Sequence, residues 1–141
     1  TGCVFTVVER KTRMLFACRA ESCTAENFYN TLKKLIKILP PGTIKSLTGD
    51  RGKEFAWYQK IENELRIPFY FADPHSPWQK GSNENTNGLL RENFPKRTNF
   101  STVCQRDLYW KGVYRINNRP RKVLGWKTAQ ECFAEELRNS A

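Results

Sequence analysis

The junction at which a short apolar run, Leu47-Thr48, meets Gly49-Asp50-Arg51-Gly52 limits this chain more than any other stretch. Such a run entering a Gly-containing turn is a buried strand, and Asp50 stands just past its last residue. Downstream, Pro77-Trp78-Gln79-Lys80-Gly81-Ser82-Asn83-Glu84-Asn85 is a turn feeding a helix that carries Glu84 on its first or second turn, with 33 residues between Asp50 and Glu84. Two carboxylates presented from a strand end and a nearby helix can share a divalent metal, the basic need of phosphoryl transfer. The competing reading of the same pair is a strand-ending Asp and a helix Glu, both simply solvated.

The remaining elements follow from local pattern. Residues 3–9 are rich in Val, Phe and Thr, residues 13–20 form a second apolar run, and Arg10-Lys11-Thr12 between them predicts a β-hairpin. Thr24 is an N-cap. Beyond it Phe28, Leu32, Leu35, Ile36 and Leu39 recur at helical spacing with Lys33, Lys34 and Lys37 outward, until Pro40-Pro41-Gly42 stops the helix. Residues 44–48 form the strand before Asp50, residues 53–65 a helix, and residues 67–71 a second short strand that Pro68 marks as an edge or a strand start. On a helix over 79–93, Lys80, Glu84, Asn87, Gly88 and Arg91 share one side, and Thr86, Leu89, Leu90 and Asn93 the other. Further helices are expected over 103–118, ended by Pro120, and over 128–137 with Thr128 as N-cap. The order ββαβαβαα fits α/β, bordering on α+β.

With 141 residues the chain is one domain large enough for a real core. Its net charge of +10 favours a polyanionic partner, with DNA, an anionic membrane surface and a merely basic soluble protein as the alternatives. The stretch from Lys80 to Lys122 holds ten Lys/Arg against three acids, so the excess begins at the helix of Glu84. The five cysteines, Cys3, Cys18, Cys23, Cys104 and Cys132, are odd in number and lack CxxC spacing, so they are expected to be buried small apolar residues in a reducing cytosol, without a disulfide framework. No run approaches the ~20 apolar residues of a membrane span.

The runs Asp50-x-Gly52-x-x-Phe55 and Trp78-Gln79-Lys80-Gly81-Ser82-Asn83-Glu84-Asn85-Thr86-Asn87-Gly88-Leu89-Leu90-Arg91 resemble the integrase-type DDE transposases, above all the insertion-sequence-30 family. Val8-Glu9-Arg10-Lys11-Thr12-Arg13, Phe94-Pro95-Lys96, Asn117-Asn118-Arg119-Pro120 and Leu124-Gly125-Trp126-Lys127-Thr128 are similar to the same family, so the resemblance spans nearly the whole chain. It implies an RNase H-like mixed sheet flanked by helices, with Asp50 at the end of the fourth strand and Glu84 on the helix after the fifth. DDE enzymes hold two Mg²⁺ (or Mn²⁺) ions with three carboxylates, one ion activating a water or 3′-hydroxyl and the other stabilising the leaving oxygen. Asp50 and Glu84 match the family's second and third acids, as catalytic residues and metal ligands.

The family's first acid lies on the first strand, upstream of the Val8-Glu9-Arg10-Lys11 motif, and no Asp precedes Asp50 here. Glu9 belongs to the hairpin motif and is no substitute. The expectation is an N-terminally truncated catalytic core over residues 1–141, lacking its first strand and the upstream DNA-recognition region, and inactive alone. Two strand edges left raw by that loss are expected to pair with another chain, giving a homo-oligomer or strand-swapped dimer, or a rearranged sheet.

Lys53, Lys80, Arg91, Lys96 and Arg97 are candidates for DNA phosphate contacts, and Asn83 and Asn87 for contacts to DNA or to the carboxylates. His75, the chain's only histidine, is a candidate to touch the scissile phosphate or a metal; a lone loop histidine is otherwise structural or solvent-facing. Trp78 anchors the helix start, Trp57, Trp110 and Trp126 are core or interface, and Arg51 stands where the family has Asn. The resemblance implies a bacterial, nucleoid-associated protein acting on element ends and target DNA. The rival readings are another RNase H-like nuclease and a non-catalytic basic DNA-binding remnant.

Overall fold

The computed structural model describes residues 2–73 and 81–140, with the backbone alone in 81–84. Trp78, Lys80 and His75 lie outside the described residues, as do the side chains of Asn83 and Glu84.

Strands β1 (Cys3–Val8) and β2 (Leu15–Ala20) form the expected antiparallel hairpin, with Phe5 opposite Cys18 and Val8 opposite Leu15. The period-two alternation of β1 sends its side chains to two different cores. Phe5, with Cys3 and Val7, packs on Phe28, Leu32 and Ile61. Val4 and Val8 pack with Leu15 against Leu90, Leu108 and Ile116 on the opposite face.

Helix α1 (Ala25–Ile38) starts where the Thr24 side chain accepts from Asn27 N–H, and Leu39 ends it in extended conformation before the two prolines. Strand β3 (Leu47–Gly49) pairs in parallel with β4 (Phe69–Phe71). Both strands are shorter and later than expected, because pairing begins only where Leu47 N–H reaches the Pro68 carbonyl. The helix expected over 53–65 is broken in two: a 3-10 turn at Lys53–Phe55, then α2 (Tyr58–Leu65). Gly52 N–H donates to Asp50 Oδ1, so the chain leaves β3 in a side-chain-closed turn rather than directly into a helix.

Helix α3 (Gly81–Asn93) buries Thr86 and Leu90 and leaves Gly88 and Arg91 exposed, as the sorting of faces expected; Asn93, placed on the apolar side, is exposed. The helix expected over 103–118 contains an irregularity invisible to periodicity. α4 (Gln105–Leu108) passes through a π-helical turn, Tyr109–Val113, into α5 (Tyr114–Asn117). A residue accommodated in this way shifts the helix register, and it sets Gly112 against α3. A Cβ on Gly112 would stand 2.9 Å from both Leu90 Cδ1 and Phe94 Cε2. Gly112→Ala should therefore cost about 1–3 kcal/mol by overpacking, seen as a lowered urea midpoint with an unchanged slope. Helix α6 (Ala129–Asn139) begins at Thr128, whose hydroxyl accepts from Glu131 N–H.

Among the described residues the strands make two separate two-stranded sheets, one antiparallel and one parallel, flanked by helices. This is the mixed α/β arrangement expected.

Two expectations are corrected. Cys3 and Cys23 form a disulfide: Cys3 faces Ala20 across the hairpin, and the chain turning back after β2 brings the two Cα atoms to 5.5 Å, within bonding reach. Cys104 is exposed and caps α4, accepting from Asp107 N–H at 3.4 Å. Trp57, Trp110 and Trp126, expected in the core or an interface, are exposed, Trp126 by 67%, which leaves the interface reading. No helix among the described residues is long and apolar enough to cross a membrane.

Candidate active site

Asp50 follows β3 directly and is half-buried, its Oδ1 held 2.8 Å from Gly52 N–H. Helix α3 is fastened to β1 by the Thr6 hydroxyl, which donates to Asn87 Oδ1 at 3.2 Å. Asp50 and Asn87 line one groove of about 500 Å³ between β1 and β3. Residues three apart share a helix face, so position 84 lies on the same side of α3 as Asn87.

Glu9 lines the same groove, but its carboxylate is engaged by the hairpin turn, accepting from Lys11 N–H at 3.0 Å and Thr12 N–H at 2.6 Å. Burial works against its charge, yet the Thr12 side chain, those two N–H groups and the Lys11 ammonium together hold its pKa below the ordinary 4.5. A depressed carboxylate contributes stability that is present above the unfolded-state pKa and lost as pH falls through the folded one. Urea midpoints measured from pH 6 downward should drop through this window, and Glu9→Gln should flatten part of that drop while costing about 1 kcal/mol at neutral pH. Glu9 is thus a turn residue, as the motif implied.

None of the described candidate cations, Lys53, Arg91, Lys96 and Arg97, lines the groove, whereas Arg10 and Lys45 do. Lys53 is exposed on the 3-10 turn after Asp50, and Lys96 and Arg97 are exposed on the turn that leaves α3. Arg91 holds the chain end of α3 in place. Its Nη1 donates to the Phe94 and Pro95 carbonyls at 3.4 and 3.3 Å, and its guanidinium lies over the Phe100 ring. Arg51 rests its guanidinium on Phe71, 5.4 Å from the ring centroid, and so braces the β3–β4 end rather than supplying the amide of the family pattern. Of the later cations, Lys111 and Arg119 pair with Asp107 and Glu92 in exposed ion pairs that contribute little.

Three residues with functional consequences were not singled out from the sequence. Asn117 is buried and exchanges two hydrogen bonds of 2.9 Å with the backbone of Leu15. Gln105 does the same for Arg19 N–H and Ala17 C=O at 2.8 and 3.1 Å. Arg121 is buried, with Nη1 unpartnered among the described residues; burial first, then the nearby charges of Arg13 and Arg119, lowers its pKa. The motif around Asn117 pointed to this region, but nothing local assigns these partners.

Among the described residues no group of three or more His, Cys, Asp or Glu converges as a metal site. The half-buried, turn-oriented Asp50 is a hard oxygen donor of the kind that Mg²⁺ or Mn²⁺ takes.

The fold places the protein among RNase H-like integrase catalytic cores. The catalytic core of BIV integrase superposes with a TM-score of 0.75 over 97% of this chain and 88% of that one, at 18% identity. A chain of the simian T-cell lymphotropic virus intasome gives 0.70 over 92% and 47%, at 22% identity. The integrase core domain model matches residues 2–77, and the chain belongs to that family. It is 40% identical over 130 residues to the transposase InsI of insertion sequence element IS30A from Escherichia coli K12, covering 92% of this chain and 34% of that protein. It is 43% identical over 98 residues to the transposase of element IS4351 from Bacteroides fragilis, covering 70% and 30%. The chain thus spans about a third of the length of the curated relatives it matches.

Proposed function

We infer that the chain is the catalytic core of an insertion-sequence transposase, which cuts DNA at element ends and joins 3′-hydroxyls to target DNA. The observation that carries this reading is the meeting of Asp50 and Asn87 in one groove, with Glu84 a turn before Asn87 on the same helix. Asp50 and Glu84 are the residues that would hold Mg²⁺ or Mn²⁺, which when bound neutralises charge building on the transferred phosphate.

The chain's own part is binding and orientation. Gly52 N–H fixes the rotamer of Asp50, and the Thr6–Asn87 bond fixes the helix that carries Glu84. Exposed Lys53, Lys96 and Arg97 supply positive charge for the DNA backbone, contacts that position without reading sequence. Lys80, Asn83 and His75 are further candidates for contacts to DNA on the sequence motif alone, and Arg91 closes α3.

Because the family's first acid is expected upstream of these residues, the test incubates a longer polypeptide that supplies it with a duplex bearing a free 3′-hydroxyl and a plasmid target in Mn²⁺, beside Glu84→Gln in the same polypeptide. Joined products that vanish in the variant support the reading, and nicks without joining indicate a nuclease instead. DNA binding that weakens with salt, is unchanged by Glu84→Gln and is accompanied by no product would favour a binding remnant, since exposed cations such as Lys96, Arg97, Arg106 and Arg115 can carry that alone.

A further inference from the structure

Among the described residues Arg121 is the one charged residue that is buried. It is 7% exposed, and its Nη1 has no hydrogen-bond partner there. The backbone holds it in that place. Arg121 N–H donates to the Lys127 carbonyl at 3.0 Å, and its own carbonyl accepts from Leu124 and Trp126 N–H at 3.0 and 2.9 Å. Gly125 and Trp126, at φ 64° and 67°, supply the left-handed turns that close the loop. That conformation is unfavourable for a side chain as large as tryptophan, and it keeps residue 121 turned inward.

A guanidinium does not shed its proton in a protein, so its burial leaves a charge to be compensated. The described residues do not compensate it. Arg121 makes no ion pair among them, and Glu92, Glu135 and Glu136 pair instead with Arg119, Lys127 and Lys11. The charges that act on Arg121 are those of Arg13, in the hairpin turn, and Arg119, both of its own sign. The hairpin and the end of α5 thus gather three guanidiniums around a buried donor that has no acceptor.

We propose that Arg121, Arg13 and Arg119 form a binding site for a phosphate group. None of the three lines the groove of Asp50, so the site is separate from it. A guanidinium presents a planar fork of donors that matches two phosphate oxygens. A phosphate has enough oxygens to meet several guanidiniums together, which a carboxylate has not. Arg119 is exposed, so the ligand arrives from its side. Its 3.3 Å pair with Glu92 is also exposed and contributes little, so Arg119 can turn from Glu92 to the ligand. Free phosphate and the backbone of a nucleic acid present the same chemistry. The inference rests on these side chains and holds whatever reaction Asp50 serves.

The test compares thermal melts in sodium phosphate with melts in sodium chloride at equal ionic strength and pH. Phosphate is expected to raise the melting temperature saturably, by at least about 3 °C. Arg119→Gln should lower the apparent phosphate affinity at least about tenfold, while its melting temperature in chloride stays within about 2 °C of the wild type. Arg121→Met keeps an apolar stem without the charge. It should lose the response to phosphate yet melt in chloride at or above the wild-type temperature, because an uncompensated buried charge is gone.

A short DNA duplex titrated in chloride identifies the source. Affinity at least about fivefold lower in Arg119→Gln than in Arg106→Gln, an exposed cation on α4, assigns the phosphate to a nucleic-acid backbone. Equal affinities of the two variants assign free phosphate. The proposal is overturned if phosphate stabilises no more than chloride does, or if Arg119→Gln answers phosphate as the wild type does. Arg121→Met melting well below the wild type in chloride would also overturn it, by giving Arg121 a structural partner instead.

Discussion

Replacing Asn117 with leucine is expected to remove about 2–4 kcal/mol of folding free energy and to lower the melting temperature by about 10 °C. Asn117 is 3% exposed, and both halves of its amide serve the same residue: Oδ1 accepts from Leu15 N–H and Nδ2 donates to Leu15 C=O, each at 2.9 Å. Leu15 is fully buried, so the leucine variant strands a backbone donor and acceptor away from water. A stranded buried group costs about 1–3 kcal/mol, and the added apolar burial returns only part of that. The change also uncaps the outer edge of β2, so pairing between copies through that edge is expected on warming. Asn118→Ala is the control. Its exposed side chain donates to the Tyr114 carbonyl, and the loss should stay within about 0.5 kcal/mol. Equal losses at 117 and 118 in thermal melts would refute the edge-cap role.

Asp50→Asn is expected to weaken Mn²⁺ binding by more than about tenfold while leaving the melting temperature nearly unchanged, because even residues that only support metal ligands are worth that much. Asparagine keeps an oxygen for the 2.8 Å bond from Gly52 N–H, so the turn persists, but the charge that attracts the cation is gone. Calorimetry on the wild type, Asp50→Asn and Glu92→Gln separates ligand from general acidity. Glu92 is exposed on α3, paired with Arg119 at 3.3 Å, and its neutralisation should leave Mn²⁺ affinity unaltered. Binding indifferent to Asp50→Asn would remove Asp50 from the metal site, and the basic DNA-binding reading would take its place.

Where sequence reasoning succeeded, the interactions were short-range. Thr24 and Thr128 cap helices by accepting from an N–H three residues on, a contact made within one turn of chain. The Val-, Phe- and Thr-rich run of residues 3–9 declared a strand, and the spacing of Phe28 and Leu32 a buried helix stripe. Asp50 could be placed at a strand end for the same reason. Its turn could not: the Gly52 bond that splits the expected helix depends on a rotamer, not on a residue type.

Sequence alone therefore determined the helices, the hairpin, the position of Asp50 and, through its motifs, the family, because each is written in residues close together or in fixed order. Tertiary structure decided the rest. The Cys3–Cys23 bond needed the hairpin to close; the amides of Gln105 and Asn117 had to cross 86 and 102 positions to reach β2; Gly112 had to meet Leu90 and Phe94. So too the groove that Asp50 and Asn87 share, which is lined by separate stretches of the chain. Side-chain capping and edge exposure are properties of neighbours in space, and a hydrophobic period records only which face is buried, not what lies beside it.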